Sequence, residues 1–274
     1  ALSFLDSEGT KPPLHFYHAN GFPVSMYLPW MTPLARDFRV MGLNLRGQDG
    51  LSEGITSWHR VALDLAGFLE ERDVGPVIGV GHSIGAVTTM LCAARRPDLF
   101  SRIVLLDPPL FPRRWVVLFR WAKLFGQKKR FPPAVRARRR RNGWQDRQEA
   151  LDYFRGKAMF NGWKEEYLRA YVTYGLRPDP QLGTALICPP EAEARGFENY
   201  PNDVWSWPSK LRTPTLLVRG GESDVLTAAT CEHFCRLCPQ AKTTVMEGAG
   251  HFIPMQRPDE TIRLIRDFAN QDPP

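Results

Sequence analysis

A serine set between two glycines is the first residue of this chain whose surroundings could support chemistry. The segment Gly81-His82-Ser83-Ile84-Gly85 has the pattern G-x-S-x-G. It follows a short apolar run at residues 76–80 and precedes a stretch of helical character at residues 86–94. A strand, a tight turn and a helix in this order would expose the serine hydroxyl on a strained backbone, where it can act as a nucleophile. We expect the two glycines because such a turn leaves no room for flanking side chains.

A serine hydroxyl is a weak nucleophile at neutral pH and needs a neighbouring base. Among six histidines, His251 is the best candidate for this base. It ends the glycine-rich loop Gly248-Ala249-Gly250-His251, just past the last predicted strand. Ligands bind at that carboxyl edge in open α/β sheets. His82 is the wrong partner for Ser83, since neighbouring side chains on a sharp turn diverge. We interpret the other histidines as structural, surface or packing residues: His15, His18, His59 and His233.

A carboxylate must orient the base and stabilise its cation. Asp224 is the preferred candidate because it follows directly after the strand predicted at residues 215–218. It also gives the chain order serine, aspartate, histidine that is expected for this kind of site. Asp107 competes with it, since it too lies at the carboxyl end of a predicted strand, and Glu222 is less well placed. We therefore predict Asp224, with Asp107 as the alternative.

An oxyanion formed by serine attack needs two N–H donors. The first should be Ile84, the residue after Ser83, because the N-terminus of a helix favours negative charge. The second should come from the loop at residues 18–23. Phe22 is the first candidate there and Asn20 the second, and Pro23 is excluded because it has no N–H.

Strands and helices alternate along two parts of the chain. Strands are predicted at residues 14–17, 39–44, 76–80, 103–109, 215–218 and 242–246, and helices at 57–72, after Ser83, at 228–237 and at 259–270. This alternation predicts an α/β fold with a mostly parallel sheet flanked by helices. Residues 111–205 interrupt it with amphipathic helical stretches and no clear buried strand. We therefore predict a core formed by residues 1–110 and 206–274, and a helical lid formed by residues 111–205.

The composition is that of a globular protein, with 43% hydrophobic residues. No apolar run reaches the ~18 residues of a membrane span, and the first residues lack the basic region and apolar stretch of a signal peptide. Five cysteines, an odd number, argue against a disulfide framework. These observations predict a cytoplasmic location.

The net charge of +7 is concentrated in one segment. Between Arg113 and Arg141 there are twelve Lys or Arg and no acidic residue, whereas the rest of the chain has 24 basic and 29 acidic residues. Tryptophan and phenylalanine are interleaved with these cations. Three interpretations stay open: a solvated lid face, peripheral contact with a membrane or anionic lipid, and attraction of anionic substrates. We expect no nucleic-acid partner.

Three cysteines, Cys231, Cys235 and Cys238, have the spacing C-x3-C-x2-C. Such a spacing can hold an iron–sulfur cluster. Because a helix is predicted here, however, the three residues would form one stripe along it, and cysteine is commonly buried. We therefore expect a core stripe and neither a metal nor an organic cofactor.

Four elements together resemble the α/β-hydrolase superfamily, specifically its lid-bearing serine hydrolases of esterase and lipase type. These elements are the loop at 18–23, the segment at 46–52, the segment at 81–85, and the loops of Asp224 and His251. The first is similar to the H-G-F-P loop of epoxide hydrolases and dehalogenases with two residues inserted. Those relatives use an aspartate nucleophile, whereas Ser83 implies acyl transfer. The resemblance covers about residues 14–107 and 213–270, and it implies an α/β-hydrolase fold with a helical lid after the sixth family strand.

The activity implied is hydrolysis of carboxylic esters of small molecules, with an apolar acyl group held under the aromatic lid. Ser83, Asp224 and His251 would form the catalytic triad, with Phe22 and Ile84 as the oxyanion hole. A thioesterase or a C–C-bond hydrolase on the same triad is the alternative within this class. The alternative from another class is a non-catalytic scaffold that binds a small ligand or a membrane.

Overall fold

A computed structural model describes residues 2–48 and 54–271. The strands are β1 Phe4–Asp6, β2 Pro13–Tyr17, β3 Arg39–Leu43, β4 Val77–His82, β5 Phe100–Leu106, β6 Gly143–Trp144, β7 Leu176–Asp179, β8 Gly183–Leu186, β9 Thr215–Gly220 and β10 Lys242–Met246. The helices are α1 Leu28–Leu34, α2 Trp58–Arg72, α3 Ile84–Arg95, α4 Arg113–Leu124, α5 Pro132–Arg138, α6 Arg147–Arg155, α7 Glu165–Tyr174, α8 Pro190–Glu198, α9 Ala228–Leu237, α10 Ile253–Gln256 and α11 Pro258–Ala269.

The main sheet has seven strands in the order β1-β3-β2-β4-β5-β9-β10. Its neighbouring strands are parallel, apart from β1, which pairs antiparallel with β3 at the edge. The predicted α/β fold with a mostly parallel sheet is therefore confirmed. Strands β4, β5 and β9 lie side by side, so the loops that follow them meet at one edge of the sheet.

Apolar side chains cover both faces of this sheet. Along β5, Val104 and Leu106 belong to one buried cluster, while Ile103 and Leu105 belong to the other, as the two-residue period of a strand requires. Helices α1 and α11 cover the first face, with α6 and α7 packed in the same cluster. Helices α2, α3 and α9 cover the second face. The central strands are thus buried on both sides, which explains their continuous apolar sequence.

The segment between β5 and β9 contributes no described strand to the main sheet. It contains helices α4 to α8, in agreement with the helical stretches predicted there. It also contains a small antiparallel sheet of order β6-β8-β7, and Thr184, Ala185 and Leu186 of β8 are buried, so the prediction of no clear buried strand between residues 111 and 205 was wrong. These strands have two to four residues, too few for an alternating pattern to show in the sequence.

Part of the segment at 46–52 lies outside the described residues, namely Asp49, Gly50, Leu51 and Ser52. Of the described part, Arg46 forms an ion pair with Asp64 of α2 at 2.6 Å, and Gln48 is fully buried. Among all residues described, no helix combines the length and the hydropathy needed to cross a membrane.

A buried histidine in β2 should make the stability of the fold depend on pH. His15 is fully buried, and neither ring nitrogen has a hydrogen-bond partner among the described residues. Burial, helped by the charge of His18, lowers its pKa from 6.5 to about 3. Between these two pKa values the unfolded chain binds a proton on His15, whereas the folded protein does not. The free energy of unfolding therefore keeps its full value above pH 6.5, and it decreases by about 1.4 kcal/mol per pH unit as the pH falls toward about 3.

Replacing His15 by phenylalanine should remove this one-proton contribution. Phenylalanine keeps an aromatic ring against those of Tyr17 and Phe68 and has no group that titrates. Urea unfolding between pH 7 and pH 4 should give His15→Phe a shallower dependence of the unfolding free energy on pH. His82, with a pKa also lowered to about 3, keeps its own contribution. An unchanged slope in His15→Phe would contradict the assignment.

Candidate active site

Ser83 occupies the sharp turn between β4 and α3. Its φ of 58° and ψ of −122° place a non-glycine residue in a left-handed, strained conformation. A Cβ atom on Gly81 would overlap the backbone of Gly85 and Ala86, and one on Gly85 would overlap the carbonyl of Tyr17. The absence of flanking side chains predicted for this turn is confirmed.

Adding one methyl group at Gly85 should therefore be severely destabilising. The overlap is with the backbone of β2, which cannot rotate away, so we expect Gly85→Ala to lose about 3 kcal/mol or more of unfolding free energy. For a domain of this size that corresponds to a decrease in melting temperature of about 6–12 °C.

Gly67 offers a matched control, because it lies inside α2 and no atom is within 4 Å of a Cβ placed there. Gly67→Ala should raise stability by about 0.5–1 kcal/mol, since alanine is the better helix former. Thermal unfolding of both variants tests the turn. Equal melting temperatures for the two variants would show that the turn tolerates a side chain.

Three side chains form a hydrogen-bonded row at the carboxyl edge of the sheet. His251 Nε2 lies 3.0 Å from Ser83 Oγ, and His251 Nδ1 lies 2.7 Å from Asp107 Oδ2. Since a carboxylate only accepts, the Nδ1–H donates to Asp107, which leaves Nε2 without a proton to accept the serine hydroxyl. Ser83 and Asp107 are buried, whereas the side chain of His251 is 17% exposed.

The prediction that Asp224 is the carboxylate partner of His251 was wrong. The structure brings Asp107 to this position, while Asp224 is exposed and lines the cavity. The reason is topological: Asp107 directly follows β5, which neighbours the strand that precedes Ser83, and its φ of 44° turns the chain there. Chain order favours Asp224, whereas the position of Asp107 after a buried strand favours Asp107, the alternative candidate.

The loop of Asp224 holds the carboxylate of Asp107 instead. The Gly220 N–H donates to Asp107 Oδ1 at 3.0 Å, and the Ser223 hydroxyl donates to Oδ2 at 2.5 Å. With His251, three donors converge on one buried carboxyl group. Ser223 is a residue that the sequence reasoning missed, although it lies next to the aspartate chosen there.

His82 does not bond to Ser83, in agreement with the prediction, but it supports the loop of His251. Its Nε2–H donates to the carbonyl of His251 at 2.9 Å, and its Nδ1 accepts from the Tyr27 hydroxyl at 2.9 Å. Burial, with the charge of His251, lowers the pKa of His82 to about 3, so the ring stays neutral and keeps this tautomer. Tyr27 in turn accepts the N–H of Ala19 at 3.3 Å. The turn of Ser83 is thereby joined to both neighbouring loops.

The loop at residues 18–23 lies against Ser83 and lines the same cavity. Ile84 is the first residue of α3, so its N–H has no acceptor within the helix. The Phe22 N–H donates to the Ala19 carbonyl at 3.2 Å within the loop. The assignment of Ile84 and Phe22 as oxyanion donors stays a prediction, with Asn20 as the second candidate for the loop donor.

A buried polar network joins this loop to α8. The Gln48 amide donates to Asn20 Oδ1 at 3.0 Å, and the Asn20 amide donates to the Glu193 carbonyl at 2.8 Å. The Glu193 carboxylate packs against Gly21 and forms an ion pair with Arg140. The segment between β5 and β9 therefore fixes the backbone beside Ser83.

The cavity above Ser83 has a volume of about 940 Å³. Its walls are rich in aromatic side chains from both sides of the site: Phe22, Trp58, Phe111, Phe131, Tyr153, Phe154, Phe160, Phe197, Tyr200 and Phe252. Around the site itself, Phe22 packs against Tyr171 at 5.3 Å and Phe252 at 5.1 Å between ring centres. The space next to the serine is thus mainly apolar.

The three cysteines of the C-x3-C-x2-C spacing lie on α9 and directly after it, as predicted. The core stripe is incomplete, because Cys238 is buried but Cys231 and Cys235 are partly exposed. Burial raises the pKa of the Cys231 thiol to about 11. Within the described residues, no group of three or more histidine, cysteine or acidic side chains is arranged to hold a metal ion.

Comparison with known proteins gives consistent matches along the chain. A family model described as the alpha/beta hydrolase family matches residues 16–264. The chain is 24% identical over 264 residues to a 2-(acetamidomethylene)succinate hydrolase of Mesorhizobium japonicum, covering 95% of this chain and 89% of that protein. It is 24% identical over 239 residues to esterase YbfF of Escherichia coli, covering 86% and 85%.

Solved structures share the fold. The crystal structure of an E-2-(acetamidomethylene)succinate hydrolase matches with a TM-score of 0.82 and 23% identity, covering 98% of this chain and 95% of that chain. At this level of identity the likeness concerns the backbone, so the reacting groups have to be judged from the side chains of this protein.

Proposed function

Because this chain belongs to the alpha/beta hydrolase family, we propose that it is a serine hydrolase that cleaves carboxylic esters through an acyl-enzyme. The observation that supports this most strongly is the continuous hydrogen-bonded row from Ser83 through His251 to Asp107. Relatives named as a hydrolase and an esterase, which match most of the chain, support a hydrolase.

The proposed reaction begins at Ser83 Oγ. As this oxygen attacks the carbonyl carbon of the ester, its proton passes to His251 Nε2, which lies 3.0 Å away. Asp107 holds the resulting imidazolium through Nδ1–H. The alcohol leaves with the proton from His251, and an acyl group stays on Ser83. A water molecule, activated by the same histidine, then releases the acid and restores the serine.

The negative oxygen of the tetrahedral intermediate would be held by backbone donors. Ile84 supplies an N–H at the start of α3, a twelve-residue helix whose dipole favours negative charge there. Phe22 is the proposed second donor. Its loop is held by the Gln48 and Glu193 contacts described above, and its N–H would have to leave the Ala19 carbonyl to meet the oxyanion.

The aromatic cavity suits an apolar acyl group. Its volume of about 940 Å³ is at the upper end of ordinary ligand pockets, so a chain of several carbons fits beside Ser83. We propose that the segment between β5 and β9 acts as a lid, because Trp163 and Tyr171 from it pack against Phe22, and Trp163 also packs against Phe252.

A series of p-nitrophenyl esters from acetate to palmitate tests this proposal. We expect turnover with the highest kcat/KM at a chain longer than acetate, since added methylene groups bury apolar surface in the cavity. Folded protein that turns over none of these esters, and that a fluorophosphonate does not label, would favour the non-catalytic scaffold. Labelling without ester turnover would instead point to another acyl substrate.

A second candidate is an acyl thioester with an anionic carrier. Arg136 and Lys157 line the cavity, and neither forms an ion pair within the described residues, so both could meet a phosphate. Comparing hydrolysis of butyryl-coenzyme A with that of p-nitrophenyl butyrate separates the two candidates. A preference for the coenzyme A ester that disappears in Arg136→Gln/Lys157→Gln would favour the thioester.

We also propose a cytoplasmic location. Cys231, Cys235 and Cys238 are free thiols, although they are close in sequence. An oxidising compartment would tend to pair such neighbours. The location would be tested by fractionating cells that produce the protein from its own gene.

A further inference from the structure

Helix α4 exposes an unusual amount of apolar surface. In the described residues, six of the twelve exposed large apolar side chains lie between residues 115 and 125: Trp115, Val117, Leu118, Trp121, Leu124 and Phe125. Each of them is more than half exposed. Monomeric proteins rarely leave so many neighbouring apolar groups in water unless the patch binds something.

Most of these side chains share one side of the helix. At 100° per residue, Val117, Leu118, Trp121, Leu124 and Phe125 fall within an arc of about 120°. The rings of Trp121 and Phe125 stack at 6.0 Å. The opposite side, with Val116 and Phe119, is buried against the protein. We call the five outward residues the apolar face of α4.

Six cations around this face form no ion pair within the described part of the chain: Arg113, Arg114, Arg120, Lys128, Lys129 and Arg130. Lys123 differs from them, because its ammonium group donates to the Tyr200 carbonyl and lies over the ring of Phe119. By contrast, Arg138 pairs with Glu191 and Glu198, Arg140 pairs with Glu193, and Arg141 pairs with Glu149. The basic segment thus divides into a structural half, which ties α5 and its end to the neighbouring helices, and an unpaired half around α4.

We propose that the apolar face of α4, with the cations at residues 113–130, binds the surface of a membrane that contains anionic lipids. An amphipathic helix with aromatic and leucine residues on one side and Lys or Arg beside them lies in the interface of such a bilayer. The apolar side chains would enter the boundary between headgroups and acyl chains. The cations would meet the lipid phosphates, as charge complementarity requires.

Charge makes a second copy of the chain a poor occupant of the same face. Two copies packed through α4 would bring together six unpaired cations from each, with no acidic residue between 113 and 141 to neutralise them. An anionic membrane surface would accept both the apolar side chains of α4 and the unpaired cations beside them. Binding there needs no hydrolysis, so it does not depend on the proposed activity.

The test measures co-sedimentation with vesicles of phosphatidylcholine alone and of phosphatidylcholine with 30% phosphatidylglycerol. We expect binding to the anionic vesicles that weakens as salt is raised. Trp121→Ser/Leu124→Ser should weaken it about tenfold or more through lost apolar burial. Lys128→Gln/Lys129→Gln/Arg130→Gln should weaken it on the order of a hundredfold, since each cation near such a surface contributes about fivefold.

Matched controls remove similar groups elsewhere. Leu63 on α2 and Leu182 are also about half exposed, and Arg212 and Arg263 are exposed cations. Leu63→Ser/Leu182→Ser and Arg212→Gln/Arg263→Gln should bind vesicles as the unchanged protein does. Hydrolysis of soluble p-nitrophenyl butyrate should stay unchanged in the α4 variants, which separates docking from catalysis and shows that they fold.

Three results would overturn the proposal. One is equal binding to both kinds of vesicle, or to neither. Another is binding that the α4 variants do not weaken more than their controls do. The third is a dimer in sedimentation velocity that dissociates in Trp121→Ser/Leu124→Ser, which would make a second copy of the chain the occupant of this face.

Discussion

Replacing Asp107 by asparagine is expected to lower kcat/KM for an ester by about three to four orders of magnitude. Asp107 Oδ2 accepts the Nδ1–H of His251 at 2.7 Å, which keeps Nε2 free to take the serine proton. An asparagine can present its NH2 group to Nδ1 instead. The histidine would then carry its proton on Nε2 and could not act as the base.

Asp224→Asn is the matched control, because Asp224 also follows a strand at the same edge but is exposed. It should change kcat/KM by no more than a few fold. Asparagine tolerates the positive φ of residue 107, so thermal unfolding should show that Asp107→Asn is folded. The reverse outcome, a large loss in Asp224→Asn and a small one in Asp107→Asn, would return the carboxylate role to Asp224.

Ser83→Ala should abolish turnover, with a decrease in kcat of about four to six orders of magnitude. The hydroxyl is the group that attacks the ester, and alanine keeps the Cβ atom that the turn already accommodates. Intact-mass measurement after treatment with a fluorophosphonate should show one phosphonyl group on the unchanged protein and none on Ser83→Ala.

Ser223→Ala provides the control for labelling. This hydroxyl lies in the same site and donates to Asp107, but it makes no bond to His251 among the described residues. The variant should still be labelled, at a reduced rate, because Asp107 loses one of its donors. A label that persists on Ser83→Ala would mean that another side chain is the reactive nucleophile.

The sequence was sufficient for the six parallel strands of the main sheet and for the Ser83 turn. Strong periodicity fixed elements such as α9 and β10, whose predicted bounds coincide with the observed ones. The glycines at 81 and 85 identified the turn because backbone contact permits nothing larger there. Ser83 and His251 could be paired because both follow strands and each residue type has a distinct chemical role.

The choice between Asp107 and Asp224 could not be made in this way. Both follow parallel strands, and what separates them is the sideways order of β4, β5 and β9 in the sheet together with a backbone turn at Asp107. Neither is visible in local sequence. The contacts of Glu193 with the loop of Asn20 were also missed, since they join residues more than 170 positions apart.

The position of Asp107 has a consequence for how this protein could diversify. Serine and carboxylate both come from the adjoining strands β4 and β5, so a continuous stretch of about two dozen residues supplies most of the reacting machinery. At the end of β9 and in the loop after it, only Gly220 and Ser223 are needed, because they donate to the Asp107 carboxylate. Glu222 and Asp224, which are exposed and line the cavity, are therefore open to mutation without loss of the chemistry. A library randomised at these two positions should retain activity in most members and yield altered substrate preferences.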